Sequence, residues 1–115
     1  MKKISSLTSP EDFERVFRQG STRANKYVVL RFVRGVCSEE MRAAFVAGKK
    51  YGKAVERNRA KRILRESYRR NMEQMVPGYD IVVIARPQLR GKSCQEAEKG
   101  LVDAMKAGGL IKRTC

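Results

Sequence analysis

The stretch KKYGKAVERNRAKRILRESYRR, Lys49 to Arg70, restricts the fold of this chain more than any other part of it. It holds ten Lys/Arg against two Glu, a net charge of eight within a chain total of +14. Its apolar residues nevertheless keep helical spacing. At about 100° per residue, Ala60, Ile63, Leu64 and Ser67 fall on one side of a helix. Asn58, Lys61, Arg62, Arg65 and Arg69 fall on the opposite side, with Arg59, Glu66 and Arg70 on a flank. A helix that serves only as structure relieves its self-repulsion with Glu three or four residues from Lys or Arg. Here four cations share a face without an acid, at roughly 0.2–0.5 kcal/mol per like-charged pair, a cost that a bound polyphosphate removes. Arg outnumbers Lys there, and its planar fork grips two phosphate oxygens at once. The plainer reading, a solvated charged face, is disfavoured by the missing acids and by the adjoining Lys49, Lys50 and Lys53. The face reads as a surface for nucleic acid.

The rest of the composition narrows the alternatives. At 115 residues the chain holds one domain, 1–115, with a modest core. The longest apolar runs, such as Ala43–Ala47 and Ile81–Ala85, are too short to cross a bilayer, and MKKISSLTSPEDF lacks the apolar centre of a signal peptide. The expectation is a cytoplasmic protein with no membrane contact. Cys37, Cys94 and Cys115 form no CxxC pair and the chain has no His, which argues against zinc and for reduced thiols. With no His and no nucleophile dyad, nothing in the chain reads as an acid–base or covalent catalyst. The carboxylate pairs Glu11-Asp12 and Glu39-Glu40 sit at a helix start and in a loop, where the helix dipole and solvation account for them.

The element order follows from periodicity. Ser9 as N-cap, Pro10 at the first helical position and Glu11-Asp12 behind it open a short helix. Phe13, Val16 and Phe17 form its apolar stripe and Gly20 ends it. Ser21–Asn25 reads as a short strand. Tyr27–Val33 is a longer one, with Val28, Leu30 and Phe32 on one face and Tyr27, Val29 and Arg31 on the other. Met41–Ala47 reads as its antiparallel return. The basic helix runs from about Ala54 to about Met75, and Pro77-Gly78 turns into an interior strand, Tyr79–Ala85. Ser93-Cys94-Gln95-Glu96 opens a last helix with Ala97, Leu101, Ala104 and Met105 inward, stopped by Gly108-Gly109. A basic tail covers about 110–115. The fold class is α+β, one sheet with helices packed on it.

At these residues the sequence resembles the protein subunit of bacterial ribonuclease P. The run Lys49-Lys50-Tyr51-Gly52-Lys53-Ala54-Val55-Glu56-Arg57-Asn58-Arg59-Ala60-Lys61-Arg62 is similar to that family's signature, with Arg-Asn-Arg at its centre. Asp12-Phe13 through Phe17 and Gly20, Asn25, and Tyr79-Asp80-Ile81-Val82-Val83-Ile84-Ala85-Arg86 also have counterparts, so that the likeness spans roughly residues 7 to 112. The resemblance implies a mixed four-stranded sheet with three helices (αβββαβα) and a left-handed βαβ crossover, against the usual hand. It implies the protein component of a ribonucleoprotein endonuclease that removes the 5′ leader from precursor tRNA. The RNA subunit would hold the catalytic Mg²⁺ and do the chemistry. The partners implied are ribonuclease P RNA and precursor tRNA, with no obligate protein partner.

The resemblance also implies two RNA surfaces. Lys49, Lys50, Lys53, Arg57, Asn58, Arg59, Lys61, Arg62, Arg65 and Arg69 would face the catalytic RNA. The Asn58 amide would either order metal-bound water or make an ordinary hydrogen bond at the helix start. Phe13, Phe17, Tyr27, Val29 and Arg31 would line a cleft for the single-stranded leader, where stacking tolerates any sequence. Spacing alone makes Phe13 and Phe17 core residues; the resemblance reverses that preference. Arg31 and Ile111 stand where some relatives place Tyr, and Ile111 offers only apolar contact. The alternatives are another basic RNA-binding protein, such as a ribosomal component or assembly factor, and a helix-turn-helix DNA binder, which the flanking strands disfavour.

Overall fold

A computed structural model of the chain describes residues 5–7, 10–35, 42–76 and 78–111. Helix α1 (Pro10–Gln19) carries Glu11 and Asp12 in its first turn, where the dipole favours acids. It stops at Gly20, whose N–H donates to the Val16 carbonyl at 2.9 Å. Ser9, the expected cap, lies outside the described residues.

Strands β2 (Ser21–Ala24) and β3 (Val28–Arg34) form an antiparallel hairpin in which Thr22 faces Arg31. The Asn25 carboxamide oxygen closes the bend by accepting from the N–H groups of Tyr27 and Val28 at 2.9 and 3.0 Å. Strand β4 (Arg42–Val46) follows, then a 3-10 turn (Lys49–Tyr51) and the long helix α2 (Ala54–Asn71). A second 3-10 turn (Met72–Gln74) leads to β5 (Tyr79–Ala85), and a third (Pro87–Leu89) to α3 (Cys94–Ala107). Ser93 caps α3 as its sequence predicts, accepting from the Glu96 N–H at 3.2 Å.

The sheet holds the four strands expected, β2 to β5, and gains a two-residue edge, β1 (Ser5–Ser6), parallel to β4. Its order is β1-β4-β5-β3-β2. The pairing expected of Met41–Ala47 is not the one found. Strand β4 does run opposite to β3, but it does not pair with it; β5 inserts between them, antiparallel to β3 and parallel to β4. The cause lies in the sequence of β5. Ile81, Val82 and Val83 are all fully buried, so this strand needs cover on both faces and on both edges, and the centre of the sheet supplies it. Strands β4 and β5 with α2 between them make the βαβ unit.

The two sheet faces are unequal. Helices α2 and α3 cover one, where Val28, Leu30, Phe32, Phe45, Ile81 and Val83 meet Leu64, Tyr68, Leu101 and Met105. Each fully buried side chain of this kind contributes about 1.5–3 kcal/mol. Among the described residues helix α1 covers the other face, where Val16 packs on Leu7 and Val82. Its cover is partial, and Val29, Val33, Ala44, Val46 and Ile84 stay half-exposed beside it.

An ion-pair network pins α1 to that face. Asp80 of β5 is 1% exposed and accepts from Arg42 Nε at 2.9 Å and Nη2 at 2.7 Å. Arg42 also donates to Asp12 of α1 at 3.0 Å, and Arg15 of α1 donates to Asp80. The hydrogen bond to Asp80 is the main reason the Arg42 guanidinium holds its proton even more tightly than an ordinary arginine.

Candidate nucleic-acid interface

Helix α2 buries Ala60, Leu64, Ser67, Tyr68 and Asn71 and turns the remainder outward. Asn58, Arg59, Arg62, Arg65 and Arg69 are exposed, while Arg57 and Lys61 are half-buried. Lys49 and Lys50 project from the 3-10 turn before the helix, and Lys53 from the residue that precedes it; all three are exposed. The face is therefore assembled as the helical wheel requires.

Its electrostatics divide along its length. Glu66 reaches across from the flank to Arg69 at 3.3 Å, and Arg70 meets Glu98 of α3 at 3.5 Å. Arg69 thus has an acid beside it, which departs from the reading of a face free of carboxylates. Nearer the helix start, Lys49, Lys50, Lys53, Arg57, Arg59, Lys61, Arg62 and Arg65 have no carboxylate within 4.0 Å among the described residues. The guanidinium of Arg65 lies 5.7 Å over the ring of Phe45, which fixes its stem without neutralising it. Arg57 Nε is buried without a hydrogen-bond partner, a donor that costs free energy until something accepts from it.

The second candidate surface lies where α1 meets the half-covered sheet face. The rings of Phe13 and Phe17 stack at 6.5 Å with 16° between their planes. Phe17 is 44% exposed, far more than a core aromatic. The guanidinium of Arg31 sits 5.1 Å over the Phe17 ring and donates to the Phe17 carbonyl and to Thr22 Oγ1, the latter at 2.8 Å. Phe13, Phe17 and Arg31 therefore form one continuous stack, and Val29 lies on the same sheet face two residues before Arg31.

Tyr27 does not join them. It precedes β3, so strand alternation does not govern it, and its ring lies against α3 on the opposite side of the sheet. A Cβ on Gly100 would come within 2.9 Å of that ring, so the glycine makes the seat. Ile111 is likewise on the α2–α3 side, bridged to Met75. The sequence reading also missed Thr22. Its partnership with Arg31 follows from hairpin register, which becomes visible only once the Asn25 bend is placed.

Asn58 is exposed at the start of the second turn of α2. Among the described residues no three His, Cys, Asp or Glu side chains converge where a metal ion could sit. The described side chains thus offer no carboxylate cluster of the kind a resident Mg²⁺ prefers.

A mixed sheet bearing a largely uncompensated basic helix on one side and an exposed aromatic stack on the other fits an RNA-binding protein. Residues 1–108 match the family model described as Ribonuclease P. The ribonuclease P protein component of Oceanobacillus iheyensis is 37% identical over 114 residues, covering 99% of this chain and 94% of that protein. That of Brevibacillus brevis is 39% identical, covering 98% and 90%. The solved structure of the Thermotoga maritima RNase P protein superposes with a TM-score of 0.81 at 32% identity, covering 90% of this chain and 96% of that one. The Staphylococcus aureus protein gives 0.86 at 25% identity, covering 96% and 100%. The chain belongs to the family of bacterial ribonuclease P protein components. It is the non-catalytic protein subunit of the ribonucleoprotein that cleaves the 5′ leader from precursor tRNA.

Proposed function

We propose that the two surfaces divide the RNA between them. The α2 face takes the phosphate backbone of ribonuclease P RNA, and the Phe13–Phe17–Arg31 stack takes the single-stranded leader of precursor tRNA. The observation that carries this reading is the row of cations from Lys49 to Arg65 with no carboxylate within reach among the described residues. Each phosphate neutralised there releases a counterion, which makes the contact strong, salt-sensitive and indifferent to sequence. The buried N–H of Arg57 finds its acceptor in the same event. On the other side of the sheet, an exposed ring stacks with any base, and leaders of any sequence can be held. The guanidinium over Phe17 adds a charge to that stack and so a phosphate contact.

In this scheme the RNA subunit holds the Mg²⁺, and the protein's contribution is to fix the substrate and screen the phosphates around the metal. Asn58, a neutral amide among cations, donates to phosphate or orients metal-bound water. The protein works in the cytoplasm, beside its substrate.

Reconstitution tests the reading. Purified protein, a bacterial ribonuclease P RNA and precursor tRNA are combined at low Mg²⁺, with each component omitted in turn. Protein alone should cleave nothing and the full mixture should outperform RNA alone. A mixture no faster than RNA alone would remove the proposal.

A further inference from the structure

The first turn of α2 contains an acid that ought to spoil the RNA surface. Glu56 precedes Arg59 by three residues, a spacing at which side chains on a helix pair. The carboxylate turns elsewhere. Glu56 Oε2 forms an ion pair with Arg90, 2.9 Å from its Nε, and Oε1 accepts from the backbone N–H of Lys53 at 3.4 Å. Arg90 also donates through Nη1 to the Tyr51 carbonyl at 3.2 Å, so one guanidinium holds both the turn before α2 and the acid at its start.

Both ends of this clamp are built. Arg90 follows the 3-10 turn Pro87–Leu89, where Leu89 is buried in the core and the Arg90 N–H donates to the Pro87 carbonyl at 3.1 Å. Gly91 behind it takes φ +77°. At the other end, Gly52 has φ +157°, and a Cβ there would lie 3.1 Å from the Glu56 carboxylate. Residue 52 leaves the carboxylate its place by having no side chain. Tyr51 is buried at this junction, and burial raises its phenol pKa while Arg59, Arg90 and Glu56 all act on it, which places the four groups in one neighbourhood.

We propose that Arg90 is a positioning residue for the RNA-binding face of α2: it holds the Glu56 carboxylate away from Arg59, so that the start of the helix keeps its full positive charge for RNA. The inference rests on the reading of α2 as the RNA surface. Arg90 need not touch RNA; it acts through Glu56. Sequence alone gives no hint of it, because the partners are 34 positions apart and Arg90 lies in a turn.

The test is a titration of ribonuclease P RNA with the parent protein and a set of variants, at one salt concentration. Arg90→Ala should bind roughly three- to tenfold more weakly, the effect of one freed acid on a phosphate-binding face. Adding Glu56→Gln should restore affinity to within about twofold of the parent. Glu73→Gln in the Arg90→Ala background restores the same net charge at a site roughly 25 Å along the helix axis, and should rescue nothing. Parent-like binding by Arg90→Ala, a loss that persists after Glu56→Gln, or equal rescue by Glu73→Gln would each overturn the proposal. Arg62→Ala in the same series separates the two claims. If Arg62→Ala weakens binding and Arg90→Ala does not, only the role of Arg90 falls; if neither does, the α2 surface falls with it.

Discussion

Phe17 and Val16 are neighbours on α1 with opposite exposure, and the contrast assigns their work. Val16 is fully buried and Phe17 is 44% exposed, so truncating Val16 should cost stability and truncating Phe17 should cost binding. Phe17→Ala is expected to weaken precursor tRNA binding by the loss of a base stack, about 1–3 kcal/mol, while mature tRNA binding and the melting temperature hardly change. Parallel titrations of the two RNAs decide it, and equal losses would return Phe17 to the core. Tyr68 gives a second residue-scale case. Its ring is buried edge-on against Phe45 at 5.5 Å, and its hydroxyl is buried without a hydrogen-bond partner. Removing an unsatisfied buried group is neutral or favourable, so Tyr68→Phe should match or exceed the parent in thermal stability. Burial also raises the Tyr68 pKa above its ordinary 10.0. The unfolded chain therefore loses this proton first, and the stability it confers is intact below about pH 10 and falls as pH rises further. Denaturant melts between pH 9 and 11 should show a shallower alkaline decline in Tyr68→Phe than in the parent.

At the scale of elements, the helices were the readable part. Helix α2 announced itself because charge and apolar periodicity agreed over five turns, and α3 because its cap and stop residues bracket a regular stripe. The run Ile81–Ala85 marks β5 as an interior strand. What periodicity does not encode is which strand lies beside which, so β4 was expected next to β3. The Asp12–Arg42–Asp80–Arg15 network was equally invisible, since its members are scattered over three elements. That network makes a prediction for α1 as a unit. Asp80→Asn leaves two arginines without their buried counter-charge and should destabilise the fold by about 3–5 kcal/mol, whereas Asp12→Asn, at the rim, should cost about 1 kcal/mol or less. Urea melts of the two variants measure the difference, and similar values for both would mean that the network is not centred on Asp80. For α2 the matching prediction is electrostatic. Arg62→Ala with Arg65→Ala should reduce the log–log salt slope of RNA binding by roughly one unit per lost phosphate contact, and Arg69→Ala by less, because Glu66 already compensates Arg69. An unchanged slope in the double variant would mean that this face points away from the RNA.

For the molecule as a whole, a net charge of +14 on 115 residues is a standing cost. Like charges held close in the folded state repel, and the repulsion relaxes when the chain expands. The cations on α2 that serve RNA binding are the ones left without acids, so the surface that makes this protein useful is also one that loosens it. Function and stability should then move in opposite directions on that face. Arg59→Ala with Arg62→Ala should weaken RNA binding and raise the melting temperature of the free protein at low ionic strength. The gain should shrink as salt rises, because screening removes the repulsion that the substitutions relieve. Bound RNA should reverse the order: ligand stabilises the native state by mass action, about 2.7 kcal/mol at a hundredfold excess over Kd, and the parent binds more tightly than the variant. Melting curves of both proteins, with and without ribonuclease P RNA, at two salt concentrations, contain the whole comparison. If the double variant were less stable than the parent at low salt, the arginines would be contributing to the fold through contacts of their own, and the idea of a surface left unbalanced for RNA would have to be abandoned.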